Sequence, residues 1–123
     1  MHGKSNVSRG DVWAVNLDPS KGAEANKIRP CLVVTNNIAN KHSPLITVTV
    51  ITTTAPRKPY PFMVEVPSTA NMPQQSWIHC GQIRTVDKGR FGRYYTSLDS
   101  DTMRKVGDAL RVQLDLPAKG QKP

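Results

Sequence analysis

Apolar and polar residues alternate in several short runs before a helical period takes over near the C-terminus. In residues 12–17, Trp13, Val15 and Leu17 fall on one face and Val12, Ala14 and Asn16 on the other. That two-residue period is the signature of a strand. Residues 31–35 form a second, β-branched run, and Pro30 biases Arg29 towards an extended conformation just ahead of it. Residues 45–53, Leu-Ile-Thr-Val-Thr-Val-Ile-Thr-Thr, carry the strongest strand signal. Shorter strands are expected at 62–66, 76–80 and, after Gly81, 82–86. Residues 36–44 read as a polar turn and 67–74 as a loop. Asp18-Pro19-Ser20-Lys21-Gly22 is turn chemistry opening a loop over 18–28, long for so small a domain and therefore a candidate for function. The period then changes: Met103, Val106, Leu110 and Leu114 predict an amphipathic helix over 101–115. Ser100 or Asp99 would cap it, Asp101 suits its first turn, and it stops before Pro117. The pattern predicts a mainly β domain with a C-terminal helix, built as a small curled sheet or partial barrel.

Composition adds boundaries. The chain has 123 residues, enough for a single domain with one modest core, expected over residues 9–116 between disordered ends at 1–8 and 117–123. No apolar run approaches the roughly 20 residues of a membrane span. The first residues lack the apolar segment of a secretory signal, so a cytoplasmic location is the default. In that setting the tripeptide Arg9-Gly10-Asp11 is not read as an adhesion signal. Cys31 and Cys80 lie in apolar runs without CxxC spacing and are expected to be reduced core residues. His2, His42 and His79 show no ligand spacing, so neither a metal nor a cofactor is expected. The formal net charge of +8 favours a polyanionic partner, with a merely soluble basic surface as the alternative.

The candidate chemistry decides between those two. Glu24 and Arg29 sit where a polar loop meets a strand, a placement that aims charge from a rigid support. Spacing alone fits an ordinary surface ion pair. It also fits a guanidinium that clamps a phosphate beside a carboxylate acting as general base or orienting it. Thr52 and Thr53 end a strand and can hydrogen-bond a phosphate oxygen or position a ribose, although threonine is common in strands for packing reasons. Lys27, Arg57, Lys58 and Tyr60, and again Arg84, Lys88, Arg90, Arg93 and Tyr94, offer phosphate contacts with stacking faces for unpaired bases. His79 is the one strand histidine able to move a proton near neutral pH. The sequence contains no HxH pair, no P-loop and no Gly-x-Ser-x-Gly elbow, and its one DxD, Asp99-Ser100-Asp101, falls at the start of the predicted helix. A nuclease of this kind would use the ribose 2′-OH as nucleophile without metal, which requires RNA.

The order of the motifs carries a resemblance. Arg9-Gly10-Asp11-Val12-Trp13, Leu17-Asp18-Pro19, Gly22-Ala23-Glu24 and Arg29-Pro30-Cys31-Leu32-Val33-Val34 resemble the N-terminal signature of the MazF/PemK (Kid) toxin endoribonucleases. The likeness continues through Val50-Ile51-Thr52-Thr53 and from Gly81-Gln82-Ile83-Arg84 to Arg90, covering about residues 8 to 116. It implies an SH3-like barrel related to the CcdB toxins, assembled as a homodimer. It further implies cleavage of single-stranded RNA at short sequences, leaving a 2′,3′-cyclic phosphate and a 5′-hydroxyl, and an antitoxin that lays an acidic segment over the RNA groove. By position, Arg29 and Thr52 match residues the family uses at the scissile phosphate, and Glu24 matches a carboxylate implicated in several members. The Kid-like branch carries an Arg acid and an Asp base where this chain has His79 and Gly81. This favours Glu24 as base and allows His79 as acid. Loops 18–28 and 53–61 match those flanking the RNA groove. A non-catalytic CcdB-like toxin and an RNA-binding barrel without cleavage are the alternatives.

Overall fold

Two-residue alternation in the central strands sends neighbouring side chains into two separate cores. The computed structural model describes residues 4–66, 68, 72, 74–118 and 120. Strands β1 (Asp11–Asn16), β2 (Ile28–Val33), β3 (Leu45–Thr52), β4 (Met63–Val66), β5 (Ser76–Asp87) and β6 (Phe91–Ser97) form one sheet. Its order is β4-β5-β3-β2-β1-β6, with every neighbouring pair antiparallel. Trp13, Val15, Leu17, Cys31, Val33, Ile46, Val48 and Val50 fill the core on one face. Val12, Leu32, Ile51, Val64, Ile78 and Cys80 fill the other, beneath Val106 and Ala109 of the C-terminal helix α2 (Ser100–Leu114). Each fully buried Val, Leu or Ile contributes about 1.5–3 kcal/mol to this double core. A mainly β domain with a C-terminal helix is the fold class expected, and the sheet is open rather than closed into a barrel. Its outer strands β4 and β6 are not paired to each other among the described residues.

Strand β5 carries a bulge. Thr49 pairs with Ile83, but the next β3 residue, Val50, pairs with His79, so Cys80, Gly81 and Gln82 bulge out of the ladder. A bulge of this kind bends a strand sharply and raises its local twist. The sequence had suggested two strands, 76–80 and 82–86; they are one strand folded at Gly81.

Three further readings change. Residues 36–44, expected as a turn, contain the short helix α1 (Asn37–His42), started by the Asn36 side chain, which accepts the Ala39 N–H at 2.9 Å. β2 begins at Ile28 rather than residue 31, which puts Arg29 inside the strand opposite Val15. The cation–aromatic run after residue 90 is strand β6, preceded by a 3-10 turn at Lys88–Arg90. The helix matches expectation: the Asp99 carboxylate caps it by accepting the Thr102 N–H at 2.7 Å, and Asp115 ends it in the left-handed region. Cys31 and Cys80 are free, buried thiols. Burial pushes the first up to about 12 and the second to about 11, so both remain protonated and unreactive at neutral pH.

Residues 1–3, including His2, lie outside the described residues, as do 67, 69–71 and 73 of the expected loop and 119 and 121–123 of the tail. From Lys4 onward the N-terminal segment lies against the sheet. Lys4 Nζ reaches Asp11 Oδ1 at 3.0 Å, and Val7 packs on the first of the two cores. No helix among the described residues is long and apolar enough to cross a membrane.

Candidate nucleic-acid interface

Four segments meet at one end of the sheet: loop 18–28, the start of β2, the end of β3 with the loop after it, and the bend of β5. Between them lies a cleft of about 800 Å³, whose lining includes Glu24, Arg29, Thr52, Arg57, Tyr60 and His79. These were singled out in the sequence as chemically useful, and the fold brings them together. Asn26, Thr54, Phe62 and Gln82 line it as well and were not anticipated. The available signal was Gly81: a glycine inside a strand pattern marks a bulge, and the residues around a bulge are re-aimed.

Loop 18–28 is held by its own polar atoms. Lys27 N–H donates to Asp18 Oδ1 at 2.8 Å, and the Lys27 carbonyl accepts the Leu17 N–H at 2.8 Å. Those bonds hold Lys27 at a φ of 61°, uncommon for a residue with a Cβ. Ser20 Oγ lies 2.8 Å from the Leu17 carbonyl oxygen and 2.7 Å from that of Ala25. Gln82 Oε1 accepts the Ala25 N–H at 2.8 Å, and Arg84 Nη1 donates to Ser20 Oγ at 3.2 Å. The far side is held by Arg90, whose Nη1 donates to the carbonyls of Asn16 and Asp18. Arg84 and Arg90, expected to meet phosphate, each use Nη1 to brace the loop and the end of β1. Arg84→Met is expected to loosen the loop without unfolding the protein. Loss of about 1.4 kcal/mol of local protection quickens amide exchange at Ala25 and Lys27 roughly tenfold, measurable by hydrogen exchange.

Glu24 and Arg29 share the cleft without forming an ion pair. Glu24 Oε1 accepts the Lys21 N–H at 3.0 Å, closing a local turn. Arg29 Nε donates to the Asn26 carbonyl at 3.1 Å, and its Nη groups have no hydrogen-bond partner among the described residues. An anchored Nε with a free fork suits an oxyanion approaching through the cleft. Thr52 Oγ1 accepts the Thr54 N–H at 3.1 Å, which directs its own proton elsewhere.

Lys27, Thr53 and Lys58 are exposed but do not line the cleft. Lys88 lies in the 3-10 turn and faces a different depression, shared with Lys4, Trp13 and Lys41. The aromatic wall is Tyr60 stacked on Phe62 (5.1 Å between centroids, 15° between planes), with Phe62 in turn stacked on His79 (5.6 Å, 26°). Burial lowers the pKa of the His79 imidazole below its ordinary value, opposed in part by a backbone hydrogen bond. Among the described residues no three His, Cys, Asp or Glu side chains converge as metal ligands.

Comparison with known proteins identifies the family. A family model described as PemK-like, MazF-like toxin of type II toxin–antitoxin system matches residues 8–114. Over 111 residues the chain is 39% identical to Endoribonuclease EndoA of Bacillus subtilis (strain 168), covering 89% of this chain and 96% of that protein. Over 111 residues it is 36% identical to Endoribonuclease MazF of Staphylococcus saprophyticus, covering 89% and 92%. Among solved structures it is similar to an endoribonuclease in complex with its cognate antitoxin from Mycobacterial species (TM-score 0.75, 27% identity, 90% of this chain and 97% of that one). MazF from Deinococcus radiodurans shares the fold at a TM-score of 0.76, 23% identity, 91% of this chain and 99% of that one. With the likeness running from the residues that lead into β1 to the last residue of α2, the chain belongs to the PemK-like, MazF-like toxins of type II toxin–antitoxin systems.

Proposed function

We propose that this protein is a toxin endoribonuclease that cuts single-stranded RNA at a short specific sequence by metal-independent attack of the ribose 2′-OH. The observation that carries the reading is the convergence of Arg29, Thr52, Glu24 and His79 on one cleft. In the reaction, Glu24 takes the 2′-OH proton and the 2′-oxygen bonds to phosphorus. The P–O5′ bond then breaks, and the 5′-oxygen gains a proton on the Arg29–His79 side. Arg29 clamps the phosphate and stabilises the charge that grows on it, and Thr52 donates its hydroxyl to a phosphate oxygen. Arg57 and Tyr60 hold the flanking nucleotides, with Lys27, Thr53, Lys58 and Lys88 contributing field from outside the lining.

The same reading supplies partners. The two relatives with the percentages above are named endoribonucleases, and one similar structure holds a cognate antitoxin. A net charge of +8 favours an antitoxin whose acidic segment competes with RNA for the cleft. A homodimer is supported by Val112, Leu114 and Leu116, each about half exposed around the end of α2. The cytoplasm, where messenger RNA is available, is the proposed location.

The test is incubation with a long single-stranded RNA in EDTA, with product ends mapped. Discrete cuts bearing 2′,3′-cyclic phosphate and 5′-hydroxyl ends are expected. Cutting that needs a divalent ion, or ends bearing 5′-phosphate, would refute the mechanism. Intact RNA from folded protein would favour a toxin that acts by protein binding.

A further inference from the structure

We propose that His79 acts as a neutral hydrogen-bond donor to the reacting phosphodiester, held in that state by Gly81 and in that place by Phe62, and does not itself transfer a proton. This rests on the endoribonuclease reading above and refines the part His79 plays in it.

The argument starts from the bend in β5. Gly81 N–H donates to His79 Nδ1 at 3.1 Å. A ring nitrogen that accepts carries no proton, so the neutral ring bears its hydrogen on Nε2. The ring is fixed on a second side by its stack on Phe62 and on a third by the missing side chain at 81. A Cβ there would stand 2.7 Å from Cε1 and 3.0 Å from Nδ1 of the imidazole. The ring therefore occupies space that only glycine leaves open.

Two consequences follow. Nδ1, the ring's only lone pair suited to accept a proton, is already engaged, so His79 is a poor base. Giving up the Nε2 proton from a neutral ring would leave an imidazolate, so it is a poor acid as well. What remains is one fixed N–H on a residue lining the cleft, suited to an oxygen on which negative charge grows. The 5′-oxygen then takes its proton from a water molecule. Desolvation of the ring works in the same direction. The charged or titratable groups sharing the cleft are Glu24 from loop 18–28, Arg29 from β2, and Arg57 and Tyr60 from the loop before β4. Because the folded protein favours the neutral ring, the stability this contributes is complete above about pH 6.5 and is lost as pH falls through the lowered pKa. Gly81 and Phe62 are positioning residues.

The experiment combines the tautomer with activity. Long-range ¹⁵N–¹H NMR of the imidazole is expected to show a neutral, Nε2-protonated ring at pH 7. His79→Ala is expected to slow cleavage about 10²-fold, the scale of losing one oxyanion donor. His79→Gln, whose amide N–H reaches the Nε2 position, should recover about tenfold of that loss. The ratio of wild-type to His79→Gln rates should stay flat between about pH 6.5 and 8, where a general acid would make it fall. Gly81→Ala should match His79→Ala, and the double variant should lose nothing more, because both changes remove one donor. A cationic or Nδ1-protonated ring at pH 7, full activity in His79→Ala, or a falling ratio would overturn the proposal. An inactive wild type would instead refute the endoribonuclease reading, with the NMR result still deciding the state of the ring.

Discussion

Arg29→Ala is expected to reduce RNA cleavage by about 10³-fold or more while leaving the fold intact. The size follows from the proposed role: a cationic donor that meets the phosphate as charge develops on it is worth about 10²–10⁵ in rate. The small structural cost follows from the environment. The side chain is exposed, and one bond, from Nε to the Asn26 carbonyl, is lost. That bond is worth about 1 kcal/mol. Single-turnover cleavage and urea unfolding of the same preparation separate the two effects. Activity within tenfold of wild type would remove Arg29 from the chemistry.

The largest expected loss of stability lies far from the cleft, at Asp11. Its carboxylate is 1% exposed and meets four donors. Oδ1 accepts from Lys4 Nζ at 3.0 Å and Ser97 Oγ at 2.8 Å, and Oδ2 from Ser8 N–H at 2.9 Å and Trp13 Nε1 at 3.1 Å. Asp11→Ala strands these donors and is expected to cost about 3–5 kcal/mol, a large fraction of the 5–15 kcal/mol typical of a domain. Lys4→Ala should cost only about 1 kcal/mol, because Lys4 is partly exposed and the other three donors remain. Urea midpoints at unchanged m-value measure both. A loss under 1 kcal/mol for Asp11→Ala would show that water replaces the carboxylate. Arg9-Gly10-Asp11 is thus an internal brace: Arg9 donates to the Val34 carbonyl and its N–H to Asn37 Oδ1 at 2.7 Å, while Asp11 gathers β1, β6 and the N-terminal segment.

Most strands were legible because alternation in a sheet buried on both faces leaves few readings. Residues 12–17 and 45–53 fell within a residue of the observed strands. Helix α1 was not legible. Its one large apolar residue, Ile38, is 78% exposed, so it has no apolar face to read, and it is held by the Asn36 cap and by Asn40 Nδ2 donating to the Thr35 carbonyl. The continuity of β5 was hidden for the opposite reason, since Gly81 looked like a break and is a bulge. At the site, the residues were legible and their pairing was not. A charge pattern shows which side chains can meet a phosphate, but not which also brace the protein's own carbonyls, as Arg84 and Arg90 do.

The sheet order also bears on when the cleft is assembled during synthesis. β3 and β4 are consecutive in the chain, yet β5 lies between them. Neither the Thr52 end of β3 nor the aromatic wall before β4 can be fixed until β5 has emerged from the ribosome and inserted. α2, which covers β4 and β5, follows later still. Native contacts of high sequence separation form late. A nascent chain is therefore without an assembled cleft until β5 has been made and has inserted between β3 and β4.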